Sequence, residues 1–266
     1  MLKSQNCNIK TKNGVVYITF PLLEKYGVKH CFSTRIGGVS EGRYSSMNLS
    51  FTNGDNHQNV KENFKRICEC IGVSPESVVM THQTHTVNLL NIEENTDEVP
   101  NDIDGIMTNK KDITLCSSYA DCVPLIFYDK VKKVIATSHS GWRGTVNEIG
   151  RKTVEKMGHD YGCNPQDILA VIGPSICKDC YEVDDTVIER VKDLKYLNFD
   201  DVVLTKGNGK YMLNLKAVCK ATLEFSGIPN SNILVSDICT CCNSEFLHSH
   251  RATNGERGNL CAFISL

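Results

Sequence analysis

Short apolar runs rich in β-branched residues recur along the chain, at 15–20, 31–34, 78–81, 87–92, 113–116, 123–128, 134–138, 168–172, 202–205, 233–238 and 260–266. Runs of this length and composition predict strands, too many for an all-helical protein. A helical period interrupts them in several places. Val60, Phe64, Ile67 and Ile71 share one face between the capping pair Asp55-Asn56 and the stop signal Gly72. Leu215, Val218, Cys219, Thr222 and Leu223 do the same between Asn214 and Gly227, and Val187, Ile188, Val191 and Leu194 follow Asp184. Val146, Ile149, Val154 and Met157 predict a further helix from Gly144-Thr145 to Gly158. Strands and helices do not alternate as βαβ units, so the pattern implies an α+β fold with a mixed or antiparallel sheet covered by helices. No repeat, low-complexity tract or Pro/Ser-rich linker divides the chain, and residues 1–266 read as a single domain.

The segment from Ala120 to Gly144 carries the first chemical signal. Two apolar strands flank a charged turn at 129–133, which is a hairpin pattern. With the turn centred between Lys130 and Val131, Ile126 faces Ile135, Phe127 faces Val134, and Cys122 faces His139. Directly opposed residues start from Cβ atoms about 5 Å apart, a distance that suits two ligands of one metal or a thiolate and its base. Pro124 cannot donate to a ladder and Gly141 loosens the backbone, so the pair sits where the sheet opens.

Beyond His139, Gly141-Trp142-Arg143-Gly144-Thr145 leads into the predicted helix. Free amides beside a guanidinium offer an anion site for phosphate or a carboxylate; the competing reading is a glycine turn whose Arg143 pairs with an acidic side chain. A third metal ligand has two sources, His82-Gln83-Thr84-His85 and His248-Ser249-His250. In an extended strand only the second pair shares a face, and the residues alone leave the choice open.

Charge is nearly balanced, with 29 basic against 31 acidic side chains. That gives no electrostatic footprint for nucleic acid or an anionic membrane. Cysteine is the outlier at 14. The polar N-terminal residues and the absence of a long uncharged apolar stretch argue for a reducing cytoplasm, where most thiols pack as small hydrophobes and a minority act as ligands or nucleophiles. Cys177-Lys178-Asp179-Cys180 and Cys239-Thr240-Cys241-Cys242 hold enough thiols for a second, structural zinc, although the second cluster is irregularly spaced.

Several ordered segments carry a resemblance. Phe32 to Ser40, Gln83-Thr84-His85-Thr86-Val87, Asp104-Gly105-Ile106-Met107-Thr108, Ala120-Asp121-Cys122-Val123-Pro124-Leu125, His139-Ser140-Gly141-Trp142-Arg143-Gly144, Ile172-Gly173-Pro174-Ser175 and Ser249-His250-Arg251 are similar to the YfiH or laccase-domain family, long labelled multicopper polyphenol oxidases. The match runs over nearly the whole chain in the right order. It implies one zinc held by His85, Cys122 and His139 with an open fourth position, and so selects His85 over the terminal pair. It also implies phosphorolysis of adenosine, inosine, guanosine and S-methyl-5'-thioadenosine, deamination of adenosine, and a fold similar to the cysteine hydrolases of this family, a mixed β-sandwich with flanking helices. The chain departs from the family pattern at Ala252, where a second arginine is common.

The older label conflicts with the composition. A multicopper oxidase needs about ten imidazoles for its blue and trinuclear sites. This chain has 8 histidines. A His/Cys/His set with an open position suits zinc better than copper, because zinc is tetrahedral and borderline-soft and lowers the pKa of bound water to about 7. Asp121, beside Cys122, is the carboxylate expected to move a proton in deamination. Arg143, the Gly144 amide and Arg35 are the phosphate candidates, and Asn48 is similar to a family position lining the pocket. The competing functions are a metal-free hydrolase or deamidase using Cys122 and His139, a laccase-type oxidoreductase, and a non-catalytic metal-binding partner. The sequence leaves the oligomeric state and the preferred nucleoside open.

Overall fold

The computed structural model describes residues 2–94 and 99–266. In chain order the strands are β1 (Asn8–Lys12), β2 (Val15–Thr19), β3 (Lys29–Ser33), β4 (Val78–Val79), β5 (Leu89–Asn91), β6 (Gly105–Thr108), β7 (Thr114–Tyr119) and β8 (Val123–Asp129). Then come β9 (Val134–Ser140), β10 (Ile168–Ile172), β11 (Glu182–Asp184), β12 (Val203–Gly207), β13 (Lys210–Leu213), β14 (Ile233–Val235) and β15 (Leu260–Ser265). The helices are α1 (Pro21–Glu24), α2 (His57–Ile71), α3 (Trp142–Val146), α4 (Ile149–Tyr161), α5 (Asp185–Lys192), α6 (Phe199–Val202) and α7 (Leu215–Phe225).

Two mixed six-stranded sheets, ordered β1-β2-β3-β15-β7-β4 and β14-β10-β8-β9-β6-β5, form the body, and β11-β13-β12 make a small third sheet. The period-2 alternation of the central strands explains the layering. On β8 and β9, Ile126, Tyr128 and Ile135 meet Ile18, Phe32, Leu115, Ala262 and Ile264 of the first sheet. Their neighbours Leu125, Phe127, Val134 and Ala136 turn the other way, toward Ile149, Val154 and Met157 of α4 and Val218 and Leu223 of α7. On β15, Cys261 and Phe263 face Val60, Phe64 and Ile67 of α2. The result is a helix, two stacked sheets and a second helical layer, the mixed α+β architecture that the alternation implies. Because the second sheet is buried on both faces, all seven residues of β8 and of β9 are buried.

The predicted α2 is found with its cap: Asn56 accepts from the Gln58 amide, and Gly72 closes the helix in the left-handed region at φ 69°. Two expectations are corrected. The single helix expected from Gly144 to Gly158 is two, α3 and α4, because Glu148 adopts φ 59° and breaks the ladder; α4 then runs past Gly158 to a cap at Gly162. The hairpin register is also displaced. Val134 pairs with Asp129, not Phe127, and Pro124 rather than Cys122 lies opposite His139. Asp129 causes the shift, since its carboxylate accepts from the Val131 and Lys132 amides and widens the loop to four residues, 130–133. A displacement of two residues preserves the face, so Cys122 and His139 become diagonal neighbours on the same side.

Candidate active site

That side is the inter-sheet layer. Cys122 enters just before β8, His139 lies near the end of β9, and the ring centroid of Tyr119, from the facing sheet, stands 5.6 Å from that of His139. His85 arrives from the loop between β4 and β5, which Gln83 pins to β7 by exchanging hydrogen bonds with the Ser118 amide and carbonyl. The ligand atoms of His85, Cys122 and His139 lie within 4.8 Å of one another. His139 is buried and Cys122 half-buried. Gly141 makes the room: a Cβ there would stand 2.5 Å from His85 Nδ1 and 3.2 Å from Cys122 Sγ.

The residue that builds this geometry is Asp104, at the threshold of β6 and 1 % exposed. Its Oδ1 receives His139 Nδ1–H at 2.8 Å and the His85 amide at 3.1 Å. Its Oδ2 receives the Thr84 amide at 3.1 Å and the Thr86 amide and hydroxyl, both at 2.8 Å. One carboxylate therefore fixes the tautomer of one imidazole and the backbone that carries the other, the outer-shell arrangement found around metal-binding histidines. Burial alone would raise the Asp104 pKa, but the hydrogen bonds from His139 and Thr86 outweigh it and hold it at about 2. Burial would likewise lower His139, yet the neighbouring Cys122 sulfur and Asp104 lift it to about 9. His85 moves down, through burial and the adjoining His139 and Arg143 charges. Asp104 stands in one of the segments that carry the family resemblance, but neither period nor spacing gave it a role.

The other expected site residues divide. Arg143 stacks on Trp142, its guanidinium carbon 4.5 Å from the ring centroid, and makes no ion pair among the described residues. Trp142 packs against the helix-side core and braces the turn. Gly144 is buried behind it, with room for a Cβ only at 3.2 Å from the His139 carbonyl. Arg35 is tied to loop carbonyls, Nε to Ser45 at 2.7 Å and Nη1 to Ser244 at 2.9 Å. Asn48 is fully buried; its Nδ2 donates to Asp55 and Asn53, and its Oδ1 accepts from the Ser50 and Asn259 amides. Asp121, at φ 83°, accepts from the Thr240 hydroxyl on one oxygen and the Arg251 amide on the other, both at 2.6 Å. This bonding fastens two distant loops to the residue before Cys122. Of the terminal histidines, His248 receives the Gly258 amide on Nδ1 and is buried away from the cluster of ligands.

A family model described as Multi-copper polyphenol oxidoreductase laccase matches residues 29–266. The chain belongs to that family. It is 35 % identical over 243 residues to the purine nucleoside phosphorylase YlmD of Bacillus subtilis (strain 168), covering 88 % of this chain and 87 % of that one. It is 35 % identical to the adenosine deaminase RL5 of an unknown prokaryotic organism, over 83 % of this chain and 87 % of that one. The crystal structure of Bacillus licheniformis hypothetical protein YfiH superposes with a TM-score of 0.91 at 33 % identity, covering 97 % of this chain and 98 % of that one. The oxidase in the family's description is not matched by donors for a trinuclear copper cluster: among the described residues the only other candidate metal group is Cys177, Cys180, Cys239 and Cys242, which offers no imidazole. No helix among the described residues is long and apolar enough to cross a membrane.

Proposed function

We propose that this enzyme is a purine nucleoside phosphorylase with adenosine deaminase activity, dependent on one zinc ion held by His85, Cys122 and His139. The observation that carries the reading is the convergence of these three donors within 4.8 Å, beside a glycine that keeps the space open. The names of the relatives supply the substrate class: purine nucleosides and phosphate, with adenosine, inosine, guanosine and S-methyl-5'-thioadenosine to be tested. Two imidazoles and one thiolate suit zinc, which accepts mixed nitrogen and sulfur ligands at about 2.0–2.3 Å and keeps an open position in catalytic sites. Bound there it supplies Lewis acidity at a substrate or water oxygen.

The chain's own groups supply the rest. Asp104 keeps the His139 proton on Nδ1, so Nε2 is the nitrogen presented to the cluster. Arg143, over the Trp142 ring and without an ion pair among the described residues, is placed to grip a phosphate bidentately, with the Gly144 amide beside it. In phosphorolysis the ribosyl group becomes cation-like while phosphate waits next to it, so fixing the anion lowers the barrier through orientation and charge. Arg35 and Asn48 shape the wall by holding the loops 45–55 and 244–246 in place. Asp121, with both oxygens engaged, acts as a positioning residue for Cys122 rather than as the proton carrier.

A second reading, a metal-free hydrolase or deamidase, is favoured by the buried Asp104–His139 hydrogen bond beside the Cys122 sulfur, the geometry of a nucleophile with an oriented base. It makes no use of His85. The test is to incubate metal-assayed enzyme with adenosine, with and without phosphate, and resolve adenine, inosine and hypoxanthine. Adenine that requires phosphate, and inosine that does not, are expected. Turnover unchanged by Cys122→Ala would remove the site, and activity retained after chelation and in His85→Ala would transfer the chemistry to the metal-free dyad.

A further inference from the structure

Of the 14 cysteines, nine are buried, and all of these but Cys239 pack as apolar side chains. Four of the remaining five are Cys122 and the group Cys177, Cys180 and Cys242, the last exposed. With buried Cys239, the latter three bring their sulfurs within 4.8 Å of one another, outside the site already described.

The topology explains how residues so far apart in sequence meet. Strands β10 and β14 run parallel, Ile172 beside Val235, so the turns that follow them leave the sheet side by side. Ser175 bridges Cys239, and the Thr240 amide donates to the Ser175 carbonyl at 3.2 Å. In the first turn the Cys180 amide bonds the Cys177 carbonyl, placing both thiols on one side. In the second, Cys239 and Cys242 form a matching pair. The spacing that looks irregular across Cys239, Cys241 and Cys242 thus resolves into two C-x-x-C knuckles, and Cys241 stands outside the group.

The distances have the scale of a metal shell. Four sulfurs at the zinc–sulfur distance of about 2.3 Å in a tetrahedron are separated by about 3.8 Å. Here Cys242 Sγ lies 3.4 Å from Cys180 Sγ and 3.9 Å from Cys177 Sγ. Cys239 Sγ accepts two backbone amides, from Cys177 at 3.2 Å and Cys242 at 3.4 Å, the donors that a thiolate ligand attracts. A counter-charge is built in. Lys216 of α7, only 7 % exposed, bonds its ammonium to the carbonyls of Ser236 and Ile238, both at 2.8 Å, immediately before Cys239.

We propose that Cys177, Cys180, Cys239 and Cys242 form a second zinc site, closed and structural, that fastens together the two turns holding Asp121. The Ile176 amide binds the Asp121 carbonyl and the Thr240 hydroxyl binds its carboxylate, while Arg251, whose amide binds the other carboxylate oxygen, anchors its guanidinium on the carbonyls of Cys180 and Glu182. The tetrathiolate knot therefore lies one hydrogen-bonded step from the residue preceding Cys122. Four sulfur ligands with no open position make a structural rather than a catalytic centre.

The test is metal content by mass spectrometry on the full chain, purified under reducing conditions from zinc-supplemented cells, for wild type, Cys180→Ser, Cys242→Ser and Cys122→Ala. One zinc equivalent that disappears in the two serine variants and survives in Cys122→Ala is expected, whatever the first site holds. Cobalt substituted into Cys122→Ala should show the intense sulfur-to-metal absorption of a thiolate-rich tetrahedral site. Should the serine variants fail to fold, alkylation of the wild type decides: exposed Cys242 should resist a thiol reagent until a chelator strips the metal. Zinc content unchanged by the serine substitutions, iron in place of zinc, or alkylation of Cys242 at the same rate with and without chelator would overturn the proposal.

Discussion

Gly141→Ala should separate the metal centre from the fold. The residue has φ −67° and ψ 173°, a conformation open to alanine. At such a position the exchange ordinarily stabilises a protein by about 0.4–1 kcal/mol, because the unfolded chain loses freedom. Here the new methyl would lie 2.5 Å from His85 Nδ1, 3.0 Å from His85 Cε1 and 3.2 Å from Cys122 Sγ. Ordinary packing contacts start near about 3.5 Å, so the imidazole must retreat by about 1 Å. Metal sites tolerate only about 0.2 Å in ligand distance. The loop cannot follow freely, since Asp104 holds the amides of Thr84, His85 and Thr86. Loss of an outer-shell partner alone costs about 10–100-fold in metal affinity, or about 1.4–2.7 kcal/mol, and a displaced ligand should cost at least as much. The assay is zinc titration of the metal-stripped protein against a chelator of known affinity, with thermal unfolding of the metal-free form alongside. The variant should unfold at or above the wild-type temperature without metal and bind zinc at least tenfold more weakly. Wild-type affinity in a folded variant would show that the three donors do not share a metal.

Asp104→Asn should lower zinc affinity by about 10–100-fold and speed hydrogen exchange of the Thr84, His85 and Thr86 amides; unchanged exchange would refute its double role. Asp121→Asn, tolerated at a positive φ, should depress phosphorolysis and deamination together, and a selective loss of deamination would return the proton-carrying role to this carboxylate. His248 is held neutral by burial and the nearby Arg35 and Arg257 charges, its pKa depressed from 6.5 to about 3. The unfolded chain therefore binds the extra proton first, so this stability is complete above 6.5 and is lost as pH falls toward 3, by up to about 1.4 kcal/mol per pH unit. Urea midpoints against pH should fall less steeply for His248→Gln than for wild type, and parallel profiles would contradict the assignment.

What was legible in the sequence was parity more than register. Alternation along β8 and β9 placed Cys122 and His139 on one face, and that survived a two-residue displacement caused by the Asp129 side chain closing a wider loop. The helix after Gly141 was visible as a period, but its break was not, because Glu148 in the left-handed region has no apolar signature. The burial of Asn48 was not legible, since no local pattern reveals that Asp55, Asn53, Ser50 and Asn259 will bond its amide. Asp104 was hidden for the same reason: its five donors come from a loop about 20 residues upstream and a strand 35 residues downstream. The two cysteine clusters stand out in the sequence, but which thiols meet depends on β10 running parallel to β14, which spacing does not reveal.

The two metal-ligand groups follow opposite physical logic. His85, Cys122 and His139 come from a loop and two strand ends whose positions the sheets and Asp104 already set, so metal entering there meets prepared ligands and returns little to folding. The four-thiol group lies on the turns that follow β10 and β14, past the strand ends, where Cys177 and Cys180 are half-buried and Cys242 is exposed. Metal there would cross-link the two turns, and its binding would add to folding. The turns it would fasten carry the partners of Asp121, which in turn sets the backbone just before Cys122. On the proposed assignments, removing metal from the four-thiol group should therefore weaken metal binding at His85, Cys122 and His139, whereas the reverse should leave the turns in place. That asymmetry follows from which ligands the sheets and Asp104 position and which sit on turns past the strand ends.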